Sequence, residues 1–501
     1  MKTKYKLICA VILSLSCDCI GRTQQMAFTG ATIIDGNGGE PIKDGVVLVQ
    51  GTKIVSVGTS AKVNIPSDAK RIDATGKYIL PGLMDANVHL VPWPSWGYIE
   101  FLARYENNFD GIVEEAAQIG LKHGLTTVFD SMGPLKPLMR VRDRINSGEI
   151  EGSRMFVAGD IVGFRAVFTT RESIMSATQA FQDRINAQFE AGGGPDLVWL
   201  TPEQLYARMF KYATQGVDFV KFGATGDGGP VNSSTGEGNI LRFTPDQQKA
   251  MVAAVHAAGK IIQTHQDAAE PLRVVVESGV DMAQHCAATG ASRISDATIK
   301  LMLERKFSCG TQWTPLSPDE EQQVKEGRFP GSDAGNGNPG INYAVENAVR
   351  LIKAGVPELV STDAGTIDPD VAKQSERPTG RTGSRNGANA APRTRRADIG
   401  EAEIVDMIAM RQRGMTNMMI IQGATKNIAA AYHMLDKIGT LEAGKTADFI
   451  VLDADPLADI ENLRKLSMVV KDGKTVDRDA LPRHPILTSP EAMNPGEVRT
   501  K

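Results

Sequence analysis

The middle of the chain repeats one pattern, a short apolar run followed by a stretch whose apolar residues have helical spacing. Glycine ends several of these helical stretches, as it often does at helix C-termini, and they lie at 109–124, 201–216, 244–259 and 342–355. Eight apolar runs are typical of buried strands and span 82–89, 125–131, 154–161, 218–224, 260–265, 281–285, 308–312 and 358–363. Repeated strand–helix units predict a parallel sheet, and eight units predict a (β/α)8 TIM-like barrel over residues 81–434. A dinucleotide-binding fold is disfavoured, because no Gly-x-Gly-x-x-Gly follows the first run.

Both ends of the chain alternate β-branched residues with glycine-rich turns, which predicts strands and hairpins. The segments 26–80 and 435–480 share this texture on either side of the barrel region. We therefore expect an α/β protein in which both chain ends form one small β-sandwich domain, followed by a tail at 481–501. A polar insertion at 367–398 follows the eighth strand and predicts a flexible loop at the barrel mouth, either a lid or a solvated insertion without a role.

The first 25 residues have the features of a secretory signal peptide. Three lysines precede a short apolar run at 7–15, and small and polar residues follow it. We therefore expect an exported protein, periplasmic or secreted, with lipoprotein anchoring at Cys17 as the alternative. The apolar run is too short for an ordinary spanning helix, and no later stretch predicts a stable membrane span.

The amino-acid composition limits the kinds of partner that the protein is expected to bind. Hydrophobic residues make up 42% of the 501 residues, enough for a large core, and the formal charge of −4 gives no electrostatic basis for binding nucleic acid. We expect a small-molecule substrate and a homo-oligomer.

Outside the leader only Cys286 and Cys309 remain, too few for a disulfide framework, and both lie in apolar segments that predict buried free thiols.

Candidate chemistry lies at the ends of the predicted strands, where barrels of this kind carry their active sites. Three of the seven histidines fall there, namely His89, His265 and His285. One strand-end histidine is more often structural, but three that share a barrel mouth favour a metal site. Asn87 lies two residues before His89, so both side chains face the same side of the strand. Its amide oxygen is a weaker donor, and alone it is more typical of a turn or hydrogen-bonding residue.

Two charged residues complete the candidate site. Lys221 lies in a buried apolar strand, where a bare ammonium is costly. It needs either a modification, such as carbamylation by CO2, or an ion pair with Asp363 or Asp85. Asp363 ends the eighth strand, where a carboxylate can bind metal and accept a proton from water, or can cap a helix.

Five motifs resemble those of the amidohydrolase superfamily and occur in the family's order. "GKYILPGLMDANVHL" is similar to the family's Pro-Gly-x-x-Asp-x-His-x-His strand, and "VKFGATG" to the strand-four lysine motif of its imidazolonepropionase-like and prolidase-like branches. "IIQTHQ", "DMAQHC" and "STDAGT" match strands five, six and eight, and "GATKNIAAAYHMLDKIGTLEAGKTADFIVLD" resembles the return into the β-domain. The resemblance covers nearly the whole chain beyond the leader.

This sequence departs from the family's pattern at one position, where Asn87 replaces the first histidine of the His-x-His pair. The Asn-x-His variant resembles a small branch that includes phenylurea hydrolases and molinate hydrolase, which cleave ureas, carbamates or thiocarbamates. It predicts a weaker first metal site, since an amide oxygen holds zinc-like ions less strongly than an imidazole.

The resemblance implies a metal-dependent hydrolase that cleaves carbon–nitrogen bonds of the amide, carbamate or urea type. It implies one or two divalent ions, zinc first and manganese or cobalt next, and an N-carboxylated Lys221. The implied ligands are Asn87, His89, Lys221, His265, His285 and Asp363. Asp363, Lys221 and His285 are the implied catalytic residues, with Asp363 taking a proton from water and returning it to the leaving amine.

Other functions stay open at this point. An exported dipeptidase or acyl-amino-acid hydrolase fits the prolidase-like lysine motif, and a cyclic-amide hydrolase fits the superfamily at large. Both bind a substrate carboxylate and need a cation near the mouth, for which Arg165 is the candidate. A non-catalytic metal-binding protein with a degenerate site is favoured by Asn87 alone. Trp93, Trp96 and Tyr98 form either an aromatic pocket wall or the packing of their loop.

Overall fold

A computed structural model gives the fold and describes residues 25–91, 99–163, 178–189, 195–225, 241–287, 292–330, 342–366 and 398–489. Several sequence predictions fall outside these ranges: the leader, the aromatic loop at 93–98, Arg165, nearly all of the 367–398 insertion, and the last residues of the tail. Within the described ranges, every helix is too short or too polar to cross a bilayer.

The described residues contain strands and helices in alternation through the middle of the chain. The strands are β1 Gln25–Ile33, β2 Ile42–Gln50, β3 Lys53–Thr59, β4 Lys70–Asp73, β5 Tyr78–Pro81, β6 Leu83–Val88, β7 Leu125–Asp130, β8 Arg154–Val157, β9 Val220–Gly223, β10 Ile262–His265, β11 Met282–Gln284, β12 Ser308–Gly310, β13 Glu358–Leu359, β14 Phe449–Leu452, β15 Leu466–Lys471 and β16 Lys474–Thr475. The helices are α1 Ile99–Tyr105, α2 Phe109–Lys122, α3 Leu135–Ser147, α4 Gln179–Phe189, α5 Pro202–Ala213, α6 Pro245–Ala257, α7 Ala269–Ser278, α8 Asp296–Glu304, α9 Pro318–Lys325, α10 Ala344–Ala354, α11 Ala402–Gln412, α12 Asn417–Gly423 and α13 Lys426–Ala431.

Strands from both chain ends share one mixed sheet. Its order is β16-β15-β14-β5-β1-β2-β3, with β4 paired to β1. The junction between the two ends is the antiparallel pair β5 and β14, in which Ile79 lies opposite Val451. Phe28 and Phe449 are fully buried in this sheet's core and meet edge to face at 4.9 Å. Both chain ends therefore contribute to one core, while the packing of these strands as a sandwich stays a prediction.

The eight strands predicted for the middle of the chain are all present as β6 to β13. They form two parallel sheets, β6-β7-β8 and β9-β10-β11-β12-β13. Isolated parallel bridges occur at the edges of these sheets, between Val162 and Phe222 and between Val88 and Ala364. The α/β class is confirmed, and the parallel direction brings the C-terminal ends of the strands to a common side.

The predicted helices are also present, and their caps explain where they begin and end. Thr201 and Thr244 each cap a helix whose first residue is a proline, and each forms a capping box with the glutamine three residues later. Gly355 caps the C-terminus of helix α10, and its φ of 84° lies in a region that glycine adopts most easily.

The prediction of free thiols was wrong for Cys286 and Cys309, which form a disulfide with a Cα–Cα distance of 5.6 Å. Both are buried as expected. The two residues are 23 positions apart in sequence, but β11 pairs with β12, so consecutive strands carry them into contact. The disulfide links the turn that carries His285 to the neighbouring strand.

Reduction of this disulfide is expected to lower the free energy of unfolding by roughly 3 kcal/mol, because closing a loop of this length restricts the unfolded chain. Denaturant unfolding with and without a thiol reductant measures the difference. Two alkylatable thiols at Cys286 and Cys309 in unreduced, denatured protein, together with an unchanged unfolding midpoint, would show that the bond does not form.

Candidate active site

The predicted site residues lie at the C-terminal ends of the parallel strands. Lys221 is in β9 and His265 is the last residue of β10, while His89 and His285 directly follow β6 and β11. Asp363 comes four residues after the end of β13. Four of the five were predicted at strand ends, and Lys221 was predicted within a buried strand. The structure brings them together with Asn87, and the centroid of the His265 ring lies 5.0 Å from that of His285.

Asp85 holds the first and last of these strands in register. Its carboxylate accepts hydrogen bonds from the Asn87 backbone N at 2.8 Å and from the Thr362 hydroxyl at 2.5 Å. The Asp363 backbone N donates to Asn87 O at 2.8 Å, and His89 N donates to Ala364 O at 2.7 Å. These bonds hold Asn87 and Asp363 opposite each other, independently of the contacts that their own side chains make.

The Asp363 carboxylate is the centre of the site. Asn87 Nδ2 donates to its Oδ1, and His89 Nε2 lies 3.2 Å from the same oxygen. On the other side, His285 Nε2 lies 3.5 Å from Oδ2, and Gln312 Nε2 donates to Oδ2 at 2.7 Å. Asn87 and His89 thus face the same side of their strand, as their spacing predicted.

Lys221 lies beneath Asn87 and is 1% exposed. Its Nζ donates to Asn87 Oδ1 at 2.9 Å and lies 3.4 Å from Ser131 Oγ, and the Ser131 hydroxyl also donates to Asn87 Oδ1. Lys221 forms no ion pair with a carboxylate of the described residues, so the pairing with Asp363 or Asp85 left open by the sequence is not formed. Among the described residues, the Lys221 ammonium therefore bonds only to neutral oxygen atoms.

The electrostatics of the site favour neutral imidazoles around an ionised carboxylate. Burial lowers the pKa of His285 to about 4 and also lowers the pKa of His89 and, well below its ordinary value, that of His265. Burial alone would raise the pKa of Asp363, yet the surrounding His285, His89 and Lys221 hold it far below its ordinary value. Burial lowers the pKa of Lys221 to about 8, which gives it more free amine at neutral pH than an exposed lysine has.

These groups fit a metal ion by their chemistry. Metal ligation requires neutral imidazoles and ionised carboxylates, which is the state that burial favours here. The Nδ1 atoms of His89 and His285 are buried and have no hydrogen-bond partner among the described residues, so each has bonding capacity unused by the protein. In the same part of the chain, no three His, Cys, Asp or Glu side chains are arranged around a common point as metal ligands. Asn87, His89 and His285 instead contact the Asp363 carboxylate directly.

Backbone conformation marks three residues of the site. His285, Gln312 and Asp363 have φ angles of 61°, 65° and 56°, in the left-handed region that residues other than glycine seldom adopt. Each such residue costs on the order of 1–3 kcal/mol and persists where the surrounding structure holds it. They follow the sixth, seventh and eighth parallel strands in turn, which turns their side chains toward one another.

Sequence reasoning missed two residues that contact the site. Ser131 bonds to Asn87, and Gln312 bonds to Asp363. Both were the last residues of predicted strands, at 125–131 and 308–312, so the strand-end rule that selected the histidines would also have selected them. Hydroxyl and amide side chains are common at strand ends for structural reasons, so this position alone does not mark a residue as functional.

Comparison with known proteins identifies the family. The amidohydrolase family profile matches residues 78–476, which is most of the chain and includes every residue of the site. No curated protein sequence matches the chain.

Two solved structures are similar over almost their whole length. Molinate hydrolase is 35% identical with a TM-score of 0.81, and the match covers 93% of this chain and 98% of that one. Phenylurea hydrolase B is 32% identical with a TM-score of 0.80, covering 93% of this chain and 100% of that one. A Xaa-Pro dipeptidase is 21% identical with a TM-score of 0.64, covering 90% and 100%, a likeness in fold alone. The chain belongs to the amidohydrolase family and is a metal-dependent hydrolase of carbon–nitrogen bonds.

Proposed function

We propose that this enzyme hydrolyses uncharged carbamates, thiocarbamates or ureas at the bond between the carbonyl carbon and nitrogen. The observation that carries the proposal is the convergence of Asn87, rather than a histidine, with His89 on Asp363. The same Asn-x-His pair was the basis for the resemblance to urea and carbamate hydrolases. The similarity to molinate hydrolase and phenylurea hydrolase B supports it.

The two parallel sheets are proposed to be arcs of one closed (β/α)8 barrel. The parallel bridge between Val162 and Phe222 lies where β8 approaches β9, and that between Val88 and Ala364 lies where β6 approaches the segment after β13. The backbone bond from Ala86 N to Val360 O at 2.9 Å supports the second junction. A closed barrel also accounts for a single mouth shared by all eight strands.

The metal site is proposed to use the six predicted donors. Asn87, His89 and Asp363 would hold one divalent ion, and His265 and His285 a second, with N-carboxylated Lys221 between them. Zinc is the first candidate, because neutral imidazoles and a carboxylate are its usual ligands, with manganese or cobalt next. When bound, such an ion lowers the pKa of water to about 7 and polarises the substrate carbonyl.

The chain's own residues handle the proton. Asp363 is ionised at the centre of the site. Its carboxylate would accept a proton from the attacking water and deliver it to the leaving nitrogen. Gln312 donates a hydrogen bond to Oδ2 of Asp363, which orients the carboxylate so that its Oδ1 faces Asn87 and His89. Lys221 is almost completely buried, so it would not contact the substrate directly. Its role would be to position Asn87 and the other metal donors.

A substrate panel tests the function. Purified enzyme is assayed with carbamates, thiocarbamates, ureas, simple amides, cyclic amides and dipeptides that share matched substituents. We expect the carbamates, thiocarbamates or ureas to give the highest kcat/KM. A preference for dipeptides would favour the dipeptidase alternative, and stoichiometric metal with no turnover on any member would favour a non-catalytic metal-binding protein.

Removal of metal is expected to abolish hydrolysis, because water without an activating ion is a poor nucleophile at neutral pH. Dialysis against a chelator, followed by addition of zinc, manganese or cobalt, should first remove and then restore turnover, with metal content measured in parallel. Magnesium added in place of these ions is the control, since it prefers oxygen ligands. Full activity in protein free of metal would end this proposal.

A further inference from the structure

A cavity of about 270 Å3 lies between the segment that follows β12 and helix α11. Six of its lining residues matter here: Gln312, Trp313, Thr362, Ala402, Val405 and Asp406. Pockets that enclose whole drug-sized ligands have volumes of roughly 300–1,000 Å3. This cavity therefore fits one substituent of a substrate rather than an entire molecule.

The cavity adjoins the catalytic carboxylate. Gln312 is an exposed wall residue whose Nε2 donates to Asp363 Oδ2 at 2.7 Å. Thr362, another wall residue, directly precedes Asp363 in sequence. A group in the cavity would therefore lie on the Oδ2 side of Asp363, away from Asn87 and His89, which contact Oδ1.

Helix α11 holds the cavity wall in place. Asp406 accepts a hydrogen bond from the Trp313 backbone N at 2.6 Å and another from the Thr311 hydroxyl. Arg413, just after the helix, donates to Thr314 O at 2.9 Å, and its guanidinium lies 5.3 Å from the centroid of the Trp313 ring. These contacts hold Gln312 at its φ of 65° and preorganise the wall without a ligand.

The lining selects for an uncharged group. The Trp313 ring, Ala402 and Val405 supply apolar surface, which suits an alkyl or aromatic substituent. Trp313 Nε1 is buried and has no hydrogen-bond partner among the described residues, so its capacity to donate is unused by the protein. The described lining contains no lysine or arginine and includes the Asp406 carboxylate, so a carboxylate substituent would be repelled.

We propose that this cavity is the subsite for the substituent on the leaving nitrogen, and that Val405 and Trp313 determine which substituents it accepts. The inference rests on the proposed function, in which Asp363 delivers a proton to that nitrogen. The nitrogen must then lie at Asp363, and its substituent points toward the Gln312 side. The group on the other side of the carbonyl lies elsewhere.

The size of the cavity is tested with Val405→Phe, which fills it from a half-buried helix position. Three substrates are compared: methyl N-phenylcarbamate, methyl N-methylcarbamate and benzyl N-methylcarbamate. We expect kcat/KM to fall about tenfold or more for the N-phenyl substrate, as for a group that no longer fits an apolar pocket, with the other two within about twofold. Val324→Phe, on helix α9 where no residue is buried, is the matched control and should change none of them.

The indole donor is tested with Trp313→Phe, which keeps an aromatic ring and removes Nε1. A substrate with an N-(4-methoxyphenyl) group carries an acceptor that its N-(4-methylphenyl) counterpart lacks. We expect kcat/KM to fall about two- to tenfold more for the methoxy substrate, the worth of one hydrogen bond. Equal losses for both would overturn the assignment of Trp313 as a specificity residue.

Binding of aniline, the product of the N-phenyl substrate, separates failure of the subsite from failure of the proposed function. Calorimetry on the metal-loaded enzyme should show aniline binding that Val405→Phe weakens about tenfold and Val324→Phe does not change. The same result in an enzyme that hydrolyses no carbamate or urea would support the cavity as an amine subsite and reject the proposed substrates. Hydrolysis in which Val405→Phe penalises the benzyl ester instead of the N-phenyl substrate, or equal aniline binding by both proteins, would overturn the subsite.

Discussion

Replacing Asp363 by asparagine is expected to lower kcat by about 10²- to 10⁴-fold, the usual contribution of a positioned acid–base group. The amide keeps the size of the side chain and can still accept from Gln312, but it cannot take up a proton near neutral pH. Asparagine also tolerates the left-handed backbone at this position, where φ is 56°, so the fold should survive. Steady-state kinetics with thermal unfolding of the same preparation measure both effects.

Asp472→Asn is the matched control, because Asp472 also has a left-handed backbone, with φ of 48°, and lies in the turn between β15 and β16. It contacts Arg154 and Lys471 rather than the site. This variant should keep its turnover within about twofold and lose at most about 1 kcal/mol of stability, as for an ion pair that is partly exposed. An Asp363→Asn enzyme as active as Asp472→Asn would remove Asp363 from the proton transfer.

The strands of the site could be predicted, but not where each one leaves its sheet. The run at 358–363 predicts a six-residue strand, whereas only Glu358 and Leu359 form the ladder of β13. Beyond them the chain turns so that Asp363 reaches a left-handed conformation and bonds to Asn87 O. Apolar periodicity reports burial on both sides of that point, since Ser361 and Ala364 are as buried as the strand itself. Only the tertiary contact ends the strand.

The disulfide shows a second limit of sequence reasoning. Apolar surroundings correctly predicted that Cys286 and Cys309 are buried. Their partnership depends on which strands are neighbours and on their register, in which Ala283 lies opposite Cys309. Register places Cys286 within reach, and nothing in the spacing of two cysteines contains that information. Such a bond would be compatible with the export that the first 25 residues predict.

Gln312 illustrates why the remaining part of the site was not predicted. An amide at the end of a strand has many structural roles, whereas three histidines at one mouth have few. Its function depends on its left-handed φ and on its bond to Asp363, both of which come from the folded chain. His285 and Asp363 have the same left-handed conformation as Gln312. This shared backbone feature marks the three residues as one group, and it is visible only in the folded structure.

Lys221 is the residue for which sequence and structure together leave the sharpest choice. Its Nζ is buried and bonds only to Asn87 and Ser131 among the described residues, with no carboxylate in contact. A permanent ammonium at this position would be costly. Burial lowers the pKa of Lys221 to about 8, which leaves part of it as a free amine able to react with CO2. Carboxylation would exchange the cation for an anion with two oxygens.

Lys221→Ala is expected to lower activity and metal affinity at least about 100-fold, because even the outer partners of metal ligands contribute roughly 10–100-fold to metal affinity or activity. Rescue distinguishes the two states of the side chain. If Lys221 is carboxylated, acetate or propionate should restore part of the metal content and turnover, since a carboxylate replaces the missing anion. If it is an ammonium that donates to Asn87, ethylamine should rescue and the acids should not. Lys445→Ala, at another buried lysine that bonds to Thr440, controls for the loss of a buried side chain and should leave turnover unchanged. Rescue by the amine alone would reject the carboxylated lysine and, with it, the bridge proposed between two metal ions.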